Sequence, residues 1–426
     1  MSTIMDKGQE KAIKHINGPL LVLAGPGSGK TTVITHRLKY MINEKSIDPS
    51  KILVVTFTRN SANEMATRSH KLIGEKADNV VFGTFHSIAL GILEEETHID
   101  VSMIISEEEN NKIITNLLTK FFPDRDDKKN LFKNAKNDLS LAQSRKEDVS
   151  TYNPQMCTNA DFIPFYNAYR NYIKDNGKIT YDDMLCDVVD LFDKNPNILS
   201  KYQKKWEYIM VDEYQDSNPI QESMLQFLAQ PQNNIMVVGD DDQSIYGFRG
   251  ADPKVMLSFG DTFANPTIAY LSTNYRSTNE VIEASQYLIK NNTNRYEKDF
   301  TSKKGSGEKV SFRTMSNVSF QNDSIAKSIR YLYSKGIPFS EMAIICRTNR
   351  ELGMFVENLT SKNIPYEIKE MVDNIYEHWI AKDIFAYLQL ALGVDPNRFL
   401  GRIVNKPTRY VEKNVLLSFD QLNLHQ

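Results

Sequence analysis

Short apolar runs alternate with amphipathic patterns in the first part of the chain. The runs at 19–24 and 51–56 have the length and composition of buried strands. Each run is followed by apolar residues at helical spacing, with Val33 and Leu38 after the first and Ala62 after the second. Strands that alternate with helices predict a parallel sheet, so this region is predicted to be an α/β domain.

The alternation of strand and helix patterns is interrupted by a polar segment and then resumes. From about 94 to 176 the sequence is polar and helical in pattern, with lysine-rich stretches and no strong strand signal. We expect an inserted helical domain there. Short apolar runs that are ended by acidic residues resume at 208–211 and 235–238, which predicts further strands of the same sheet.

A third region begins near Tyr270, and from Val310 it shows another alternation of strand and helix patterns. The pattern from there predicts a strand over 310–314, a helix over 323–334 and a strand over 342–346. Two successive α/β patterns indicate a second sheet-containing domain.

Length and composition narrow the class of protein. A chain of 426 residues is long enough for about two to four domains. The net charge of −3 shows no overall basic character, so any nucleic-acid contact must come from local patches. Three distant cysteines without a CxxC pair argue against a disulfide framework and against zinc or iron–sulfur sites. With no signal segment and no membrane-length apolar run, we expect a cytoplasmic protein without a membrane partner.

A glycine-rich loop lies between the first predicted strand and helix, and it fits a Walker A motif. Glycine backbone N–H groups can converge on phosphates, Lys30 can reach the β and γ oxygens, and Thr31 can ligate Mg²⁺. The first motif position is Ala24 instead of glycine, so the strict pattern is missed by one residue. The sequence predicts a nucleotide site, with a surface glycine turn as the alternative; the loop is Ala24-Gly25-Pro26-Gly27-Ser28-Gly29-Lys30-Thr31.

Two adjacent acids end the strand at 208–211. Asp212 and Glu213 are expected where open α/β sheets bind ligands, at the carboxyl end of a strand. In this position Asp212 can hold Mg²⁺ and Glu213 can polarise the water that attacks the γ-phosphate. A solvated acidic loop is the alternative for these two residues.

A stretch from 239 to 251 follows the next predicted strand and interleaves polar and aromatic groups. Gln243 could sense a γ-phosphate, while Tyr246 and Phe248 could stack on unpaired bases. The alternative is that both aromatic rings belong to the core.

Taken in this order, the three motifs resemble those of the UvrD/Rep/PcrA-type superfamily 1 DNA helicases, and the resemblance covers essentially the whole chain. It implies that Gln9 reads adenine, that Tyr275 stacks on it and that Arg276 contacts the γ-phosphate. The implied ATP contacts are Gln9, Ala24, Gly25, Gly27, Ser28, Gly29, Lys30, Thr31, Thr32, Tyr275 and Arg276, and the implied catalytic set is Lys30, Asp212, Glu213, Gln243 and Arg276. The implied DNA contacts are Phe57, Thr84, His86, Tyr246, Phe248 and Arg249.

The resemblance also implies an architecture and an activity. The fold is expected to be a RecA-like P-loop NTPase domain (1–94 and 178–269) with an inserted helical domain (95–177), a partial second RecA-like domain (270–393) and the start of an accessory domain (394–426). Such a motor uses ATP and Mg²⁺, moves 3′ to 5′ on single-stranded DNA, opens 3′-tailed duplexes and acts in repair or replication with a possible protein partner.

Three departures from the family pattern stand out. Phe248 lies where many members have tryptophan, and Thr32 lies where many have arginine. The family's last motifs, including a second γ-phosphate arginine, are not found in these 426 residues. We therefore expect this sequence to be impaired in unwinding.

Two other functions stay open at this point. One is the helicase subunit of a helicase–nuclease complex, which shares the acidic pair and the Gly-Asp-x-x-Gln pattern but usually has longer insertions. The other is a non-motor module that binds DNA under the control of ATP, which would lack a DNA-stimulated ATPase.

Overall fold

The computed structural model divides into two compact units, 1–310 and 311–426, and each is described by itself. The residues it describes are 5–123, 125, 127–144, 149–247, 250–369, 376, 379–394 and 396–411. Among these residues no helix combines the length and the apolar character needed to cross a membrane.

A six-stranded parallel sheet organises the first unit. Its strands, in spatial order, are β3, β2, β4, β5, β1 and β6. β1 lies between β5 and β6, with Leu20 opposite Met236 on one side and Thr267 on the other. The strand bounds are β1 Leu20–Ala24, β2 Ile52–Thr56, β3 Val81–Thr84, β4 Tyr208–Val211, β5 Ile235–Gly239 and β6 Thr267–Leu271.

Helices connect and cover these strands. Those of the first unit are α1 Lys7–Lys14, α2 Lys30–Lys39, α3 Arg59–Ile73, α4 Phe85–Glu96, α5 Glu107–Phe121, α6 Lys128–Ser144, α7 Asn159–Asp175, α8 Tyr181–Lys194, α9 Pro196–Lys205, α10 Pro219–Ala229, α11 Pro253–Leu257, α12 Phe259–Thr262 and α13 Asn279–Ile289. A two-stranded parallel pair follows the main sheet, β7 Thr273–Asn274 with β8 Thr301–Ser302. The second unit contains α14 Val318–Ser334, α15 Asn349–Ser361, α16 Trp379–Ala391 and α17 Pro396–Ile403.

The main sheet is buried on both faces. Leu21, Leu23 and Val211 face one hydrophobic cluster, which includes residues of α4, α8 and α10. Leu20 and Val22 face a second cluster on the opposite side, with residues of α1, α2 and α3. A strand covered on both faces needs apolar side chains in both directions, and this explains the continuous apolar runs in the sequence.

The predicted strands of the first domain are confirmed to within one residue, and two further strands were not predicted. β3 contains Gly83 and is partly exposed, so it lacks an apolar run. β6 pairs with β1 through Leu271, so the sheet continues past residue 269, where the sequence had placed a domain boundary.

The polar stretch predicted to be helical contains α5, α6 and α7. These helices have their own core, in which Phe162 and Phe165 are fully buried. Phe165 lies near the rings of Phe121, Phe122 and Phe162, with centroids 6.0–6.3 Å apart. The insert therefore has a hydrophobic core separate from that of the sheet.

The two strands predicted at 310–314 and 342–346 are wrong. Neither segment forms a strand ladder in the part of the chain that the structure describes. Residues 342–346 alternate between half-buried and exposed side chains, and Ile345 is 93% exposed. A short apolar run gave the strand signal at 342–346, but a strand also needs a neighbour whose backbone accepts its hydrogen bonds. The predicted helix at 323–334 is present and begins earlier, in α14.

Phe165→Ala should destabilise the helical insert. Removal of a fully buried phenylalanine ring costs about 3–5 kcal/mol in the free energy of unfolding, because the ring's burial is lost and a cavity remains. Tyr172→Ala on the same helix is the control, since Tyr172 is 45% exposed and its loss should change stability by about 0.5 kcal/mol or less. Urea denaturation followed by circular dichroism measures both; equal shifts for the two variants would contradict the assigned core.

Candidate active site

The carboxyl ends of the parallel strands form one edge of the main sheet. Because every strand runs in the same direction, the residues that follow them meet at this edge. Gly25 follows β1, Phe57 follows β2, Asp212 follows β4 and Asp240 follows β5, while Thr84 ends β3. The predicted site residues of the first unit therefore gather along one side of the sheet.

The glycine-rich loop makes the turn from β1 into α2. Gly27 and Gly29 have positive φ angles of 65° and 88°, which are left-handed conformations that favour glycine. The Ser28 hydroxyl donates to the Gly25 carbonyl at 2.7 Å, which closes the loop. α2 begins at Lys30, so the loop lies at a helix N-terminus, where backbone N–H groups and the helix dipole favour an anion.

Helix α1 holds Gln9 against this loop. The Gln9 side-chain amide donates to the Ser28 carbonyl at 3.0 Å, while its backbone N–H and side-chain oxygen form a capping box with Asp6. The Tyr275 hydroxyl donates to the same Asp6 carboxylate at 3.3 Å. Gln9 and Tyr275, which are 266 positions apart, are thus joined through Asp6.

The segment after β6 contacts the other side of the loop. The Asn274 side-chain amide donates to the Pro26 carbonyl at 2.7 Å, and the Tyr275 backbone N–H donates to the Gly27 carbonyl at 2.9 Å. A Cβ at Gly27 would lie 2.6 Å from Arg276 Cβ. The Arg276 side chain is exposed and begins directly beside the loop.

Lys30 and Glu213 join the loop to the acidic strand end. Lys30 Nζ lies 2.6 Å from a Glu213 carboxylate oxygen. Glu213 has a left-handed backbone, with φ 50° and ψ 44°. A non-glycine residue in this conformation carries strain that is typical of functional sites.

Asp212 has the properties expected of a cation ligand. Its carboxylate is buried, and its Oδ1 has no hydrogen-bond partner among the described residues. Burial, with the neighbouring Glu213 carboxylate, raises the pKa of Asp212 to about 6. A bound cation would offset both effects.

Mg²⁺ fits these residues. It binds oxygen ligands, and at nucleotide sites it needs one or two protein groups together with phosphates. Asp212 and the Thr31 hydroxyl supply that chemistry. Among the described residues no group of three or more His, Cys, Asp or Glu side chains could hold a metal by itself.

The turn after β5 is held by a buried charge cluster. The Asp240 carboxylate accepts from Lys298 Nζ at 2.6 Å and from the Gln243 side-chain amide at 2.7 Å. Lys298 Nζ also contacts Asp241 and, at 3.1 Å, Asp242. In this structure the Gln243 amide is therefore bound to Asp240.

Aromatic side chains line the same edge further along. The rings of Phe57 and Tyr246 stack, with centroids 5.8 Å apart and planes at 21°. His86 meets Tyr181 edge to face at 5.9 Å, and burial lowers the His86 pKa. The Thr84 hydroxyl accepts from Ser87 N–H as the cap of α4. Phe248 and Arg249, also predicted to contact DNA, lie outside the described residues.

Sequence reasoning missed three residues that hold the site in place, which are Asp6, Asn274 and Lys298. Asn274 directly precedes Tyr275 and Arg276, and that proximity was the available signal. Lys298 had no signal, because its partners lie 56–58 positions away in the chain.

The parallel sheet, the glycine-rich loop and the acidic strand end define a RecA-like P-loop NTPase. Two family models then match nearly the whole chain: the UvrD/REP helicase N-terminal domain over residues 5–264 and the UvrD-like helicase C-terminal domain over 269–425. The chain belongs to the UvrD/Rep helicase family.

Curated relatives agree with this assignment. The chain is 33% identical over 418 residues to the ATP-dependent DNA helicase PcrA of Staphylococcus aureus. The aligned region covers 96% of this chain and 56% of that protein. It is also 33% identical over 419 residues to the PcrA of Staphylococcus epidermidis, with 95% and 56% coverage. The chain thus spans about 56% of the length of these relatives.

Gly27→Ala should destabilise the first unit. An alanine there would be strained at φ 65°, and its Cβ would meet Arg276, so we expect a loss of about 1–3 kcal/mol in unfolding free energy. Gly91→Ala is the matched control, because a Cβ at this position in α4 meets nothing within 4 Å. That change should stabilise by up to about 1 kcal/mol, through helix propensity. Chemical denaturation without nucleotide measures the unfolding free energy of both variants. An unchanged value for Gly27→Ala would contradict the close approach of Gly27 and Arg276.

Proposed function

We propose that this chain is the ATP-hydrolysing part of a DNA helicase that acts on single-stranded DNA and on 3′-tailed duplexes. The proposal rests above all on the Lys30–Glu213 contact of 2.6 Å, which brings a phosphate-binding lysine and a carboxylate together at one edge of the sheet. The family assignment supports it, since the two staphylococcal relatives described above are named ATP-dependent DNA helicases. The 3′ to 5′ polarity and a role in repair or replication are taken from the family resemblance.

The nucleotide would be held from three sides. The loop amides and Lys30 bind the phosphates, Gln9 and Tyr275 bind the adenine, and Arg276 meets the γ-phosphate charge. Thr31 and Asp212 would hold Mg²⁺, which neutralises charge on the phosphates when bound. The remaining loop contacts predicted for ATP are Ala24, Gly25, Gly27, Ser28, Gly29 and Thr32.

Hydrolysis requires a base that positions water. Glu213 is the candidate because its carboxylate lies beside Lys30 at the carboxyl end of β4. Its ion pair with Lys30 would give way when phosphate takes the lysine, and this frees the carboxylate to orient the attacking water. Gln243 is the proposed γ-phosphate sensor, and it would exchange its bond to Asp240 for that contact.

Single-stranded DNA would lie along the aromatic part of the same edge. Phe57 and Tyr246 offer ring faces to unpaired bases, and Thr84 and His86 lie on the neighbouring strand and helix. Phe248 and Arg249 continue the stretch in sequence. A net charge of −3 suggests that stacking contributes a larger share of the affinity than in a strongly basic protein.

Glu213→Gln tests the hydrolytic role. The variant should bind ATP with nearly unchanged affinity and hydrolyse it ~10²–10⁴-fold more slowly, because an amide cannot act as the base. Lys30→Ala should instead weaken ATP binding, because it removes a charge that contacts the ground-state phosphates. Fluorescent-nucleotide titration and single-turnover hydrolysis separate the two effects. Equal hydrolysis rates in Glu213→Gln and the parent would exclude Glu213 as the base.

Tyr246→Ala tests the DNA surface. Loss of a stacking face should weaken binding of an oligo-dT strand by about 1–3 kcal/mol, with little base preference. Tyr172→Ala, an exposed tyrosine on the helical insert, is the control and should leave the affinity unchanged. Fluorescence anisotropy at fixed salt measures both variants. If folded Tyr246→Ala binds as tightly as the parent, the ring has a packing role instead.

A further inference from the structure

One buried glutamine lies between the acidic strand end and the turn that leads to Tyr246. Gln215 is 2% exposed and lies in the 3₁₀ turn Tyr214–Asp216, directly after Glu213. The mechanism above assigns it no role. Its polar groups nevertheless reach both neighbouring segments.

The side chain of Gln215 joins two strand ends. Its amide nitrogen donates to the Glu213 carboxylate at 2.9 Å, on the same oxygen that contacts Lys30. Its amide oxygen accepts from the Asp240 backbone N–H, also at 2.9 Å. A single planar amide thus connects the proposed base after β4 to the turn after β5.

Backbone contacts strengthen the connection. The Ser244 hydroxyl donates to the Gln215 carbonyl at 3.0 Å, so Gln215 holds both ends of the turn from Asp240 to Ser244. A Cβ at Gly239 would lie 2.6 Å from the Gln215 amide oxygen, so the two segments are tightly packed. Tyr246, two residues beyond Ser244, stacks on Phe57.

The turn itself is firmly anchored at Asp240. This residue is fully buried, and its carboxylate is held by Lys298 and Gln243. Because Asp240 is held in place, the start of the turn cannot move easily. A displacement of Ser244 or Tyr246 is therefore transmitted to Gln215. Buried hydrogen bonds have few alternative partners, so a shift of the Gln215 backbone must also change the bond from its side-chain amide to Glu213.

We propose that Gln215 is a positioning residue that couples DNA binding at Tyr246 to the orientation of Glu213 at the ATP site. This inference rests on the function proposed above. Base stacking at Tyr246 would shift the turn, and the Gln215 amide would reset the Glu213 carboxylate relative to Lys30. By linkage, nucleotide in the ATP site would change the affinity for DNA by the same factor.

The test is a thermodynamic coupling measurement on the 426-residue chain. The dissociation constant of a labelled oligo-dT strand is measured with and without a non-hydrolysable ATP analogue and Mg²⁺, at one salt concentration. The parent should show a ratio of about 5–150-fold, the usual range of coupling between two sites. Gln215→Met, which keeps the side-chain shape without the amide, should bring this ratio to about one, with each ligand alone still bound.

A matched control separates coupling from stability. Gln221→Met also removes a buried glutamine amide, one that accepts from Asn218 N–H in the capping box of α10. It should lower the melting temperature and keep the parent's ratio. Ser244→Ala is a second, milder variant in case Gln215→Met does not fold, and it should reduce the ratio by removing one contact to Gln215.

Each outcome has a defined meaning. If Gln215→Met or folded Ser244→Ala keeps the parent's ratio, Gln215 does not couple the sites. If Gln221→Met loses coupling to the same extent as Gln215→Met, the loss comes from general destabilisation of the fold, and the inference is overturned. A parent that binds both ligands without coupling also overturns it. A parent that binds neither ATP nor DNA contradicts the proposed function itself.

Discussion

The common direction of the strands is the constraint on which the site depends. β2, β4, β5 and β1 are four consecutive parallel strands of one sheet, so their carboxyl ends open onto the same edge. Residues as distant as Gly25 and Asp240 meet there without any direct signal in the sequence. An antiparallel strand in the middle would have sent one of these loops to the opposite edge. The continuous apolar runs are therefore a condition for the site as well as for the core.

Local patterns predicted the parts of this arrangement that are determined locally. Apolar runs located four strands of the sheet, because each is buried on both faces and ends at a glycine, a threonine or an acidic residue. Glycines located the phosphate loop, since Gly27 and Gly29 have backbone angles that other residues avoid. The strand predictions for 310–314 and 342–346 were wrong because strand formation is not determined locally. Their residue types describe the chain alone, whereas a strand is defined by its pairing with a neighbouring strand.

Contacts between distant segments set the geometry and were not predicted. The resemblance assigned Gln9 and Tyr275 to adenine, but Asp6, the carboxylate that joins them, has no motif signature. Asn274 attaches the segment that carries Arg276 to the Pro26 carbonyl, and its amide gave no hint of that distant acceptor. Such residues follow from the packing of one element on another. Sequence reasoning could therefore name the chemical groups of the site but not what holds them in place.

The buried charge cluster at the turn after β5 shows why side-chain contacts are needed to hold the site in place. Loops at a strand end lack the ladder of hydrogen bonds that fixes the strand, so their position must come from side chains. Lys298 is 1% exposed at its side chain, yet it contacts three consecutive carboxylates, and Arg295 forms two further bonds to Asp242. Burial of these charges is costly, and loss of one partner typically costs about 3–5 kcal/mol, so the cluster resists rearrangement. A turn anchored this strongly at Asp240 can move only beyond that point, toward Ser244 and Tyr246. Gln215 lies at this transition, because its side-chain amide is bonded to Asp240 in the fixed part and its backbone carbonyl to Ser244 in the part that leads to the proposed DNA contact.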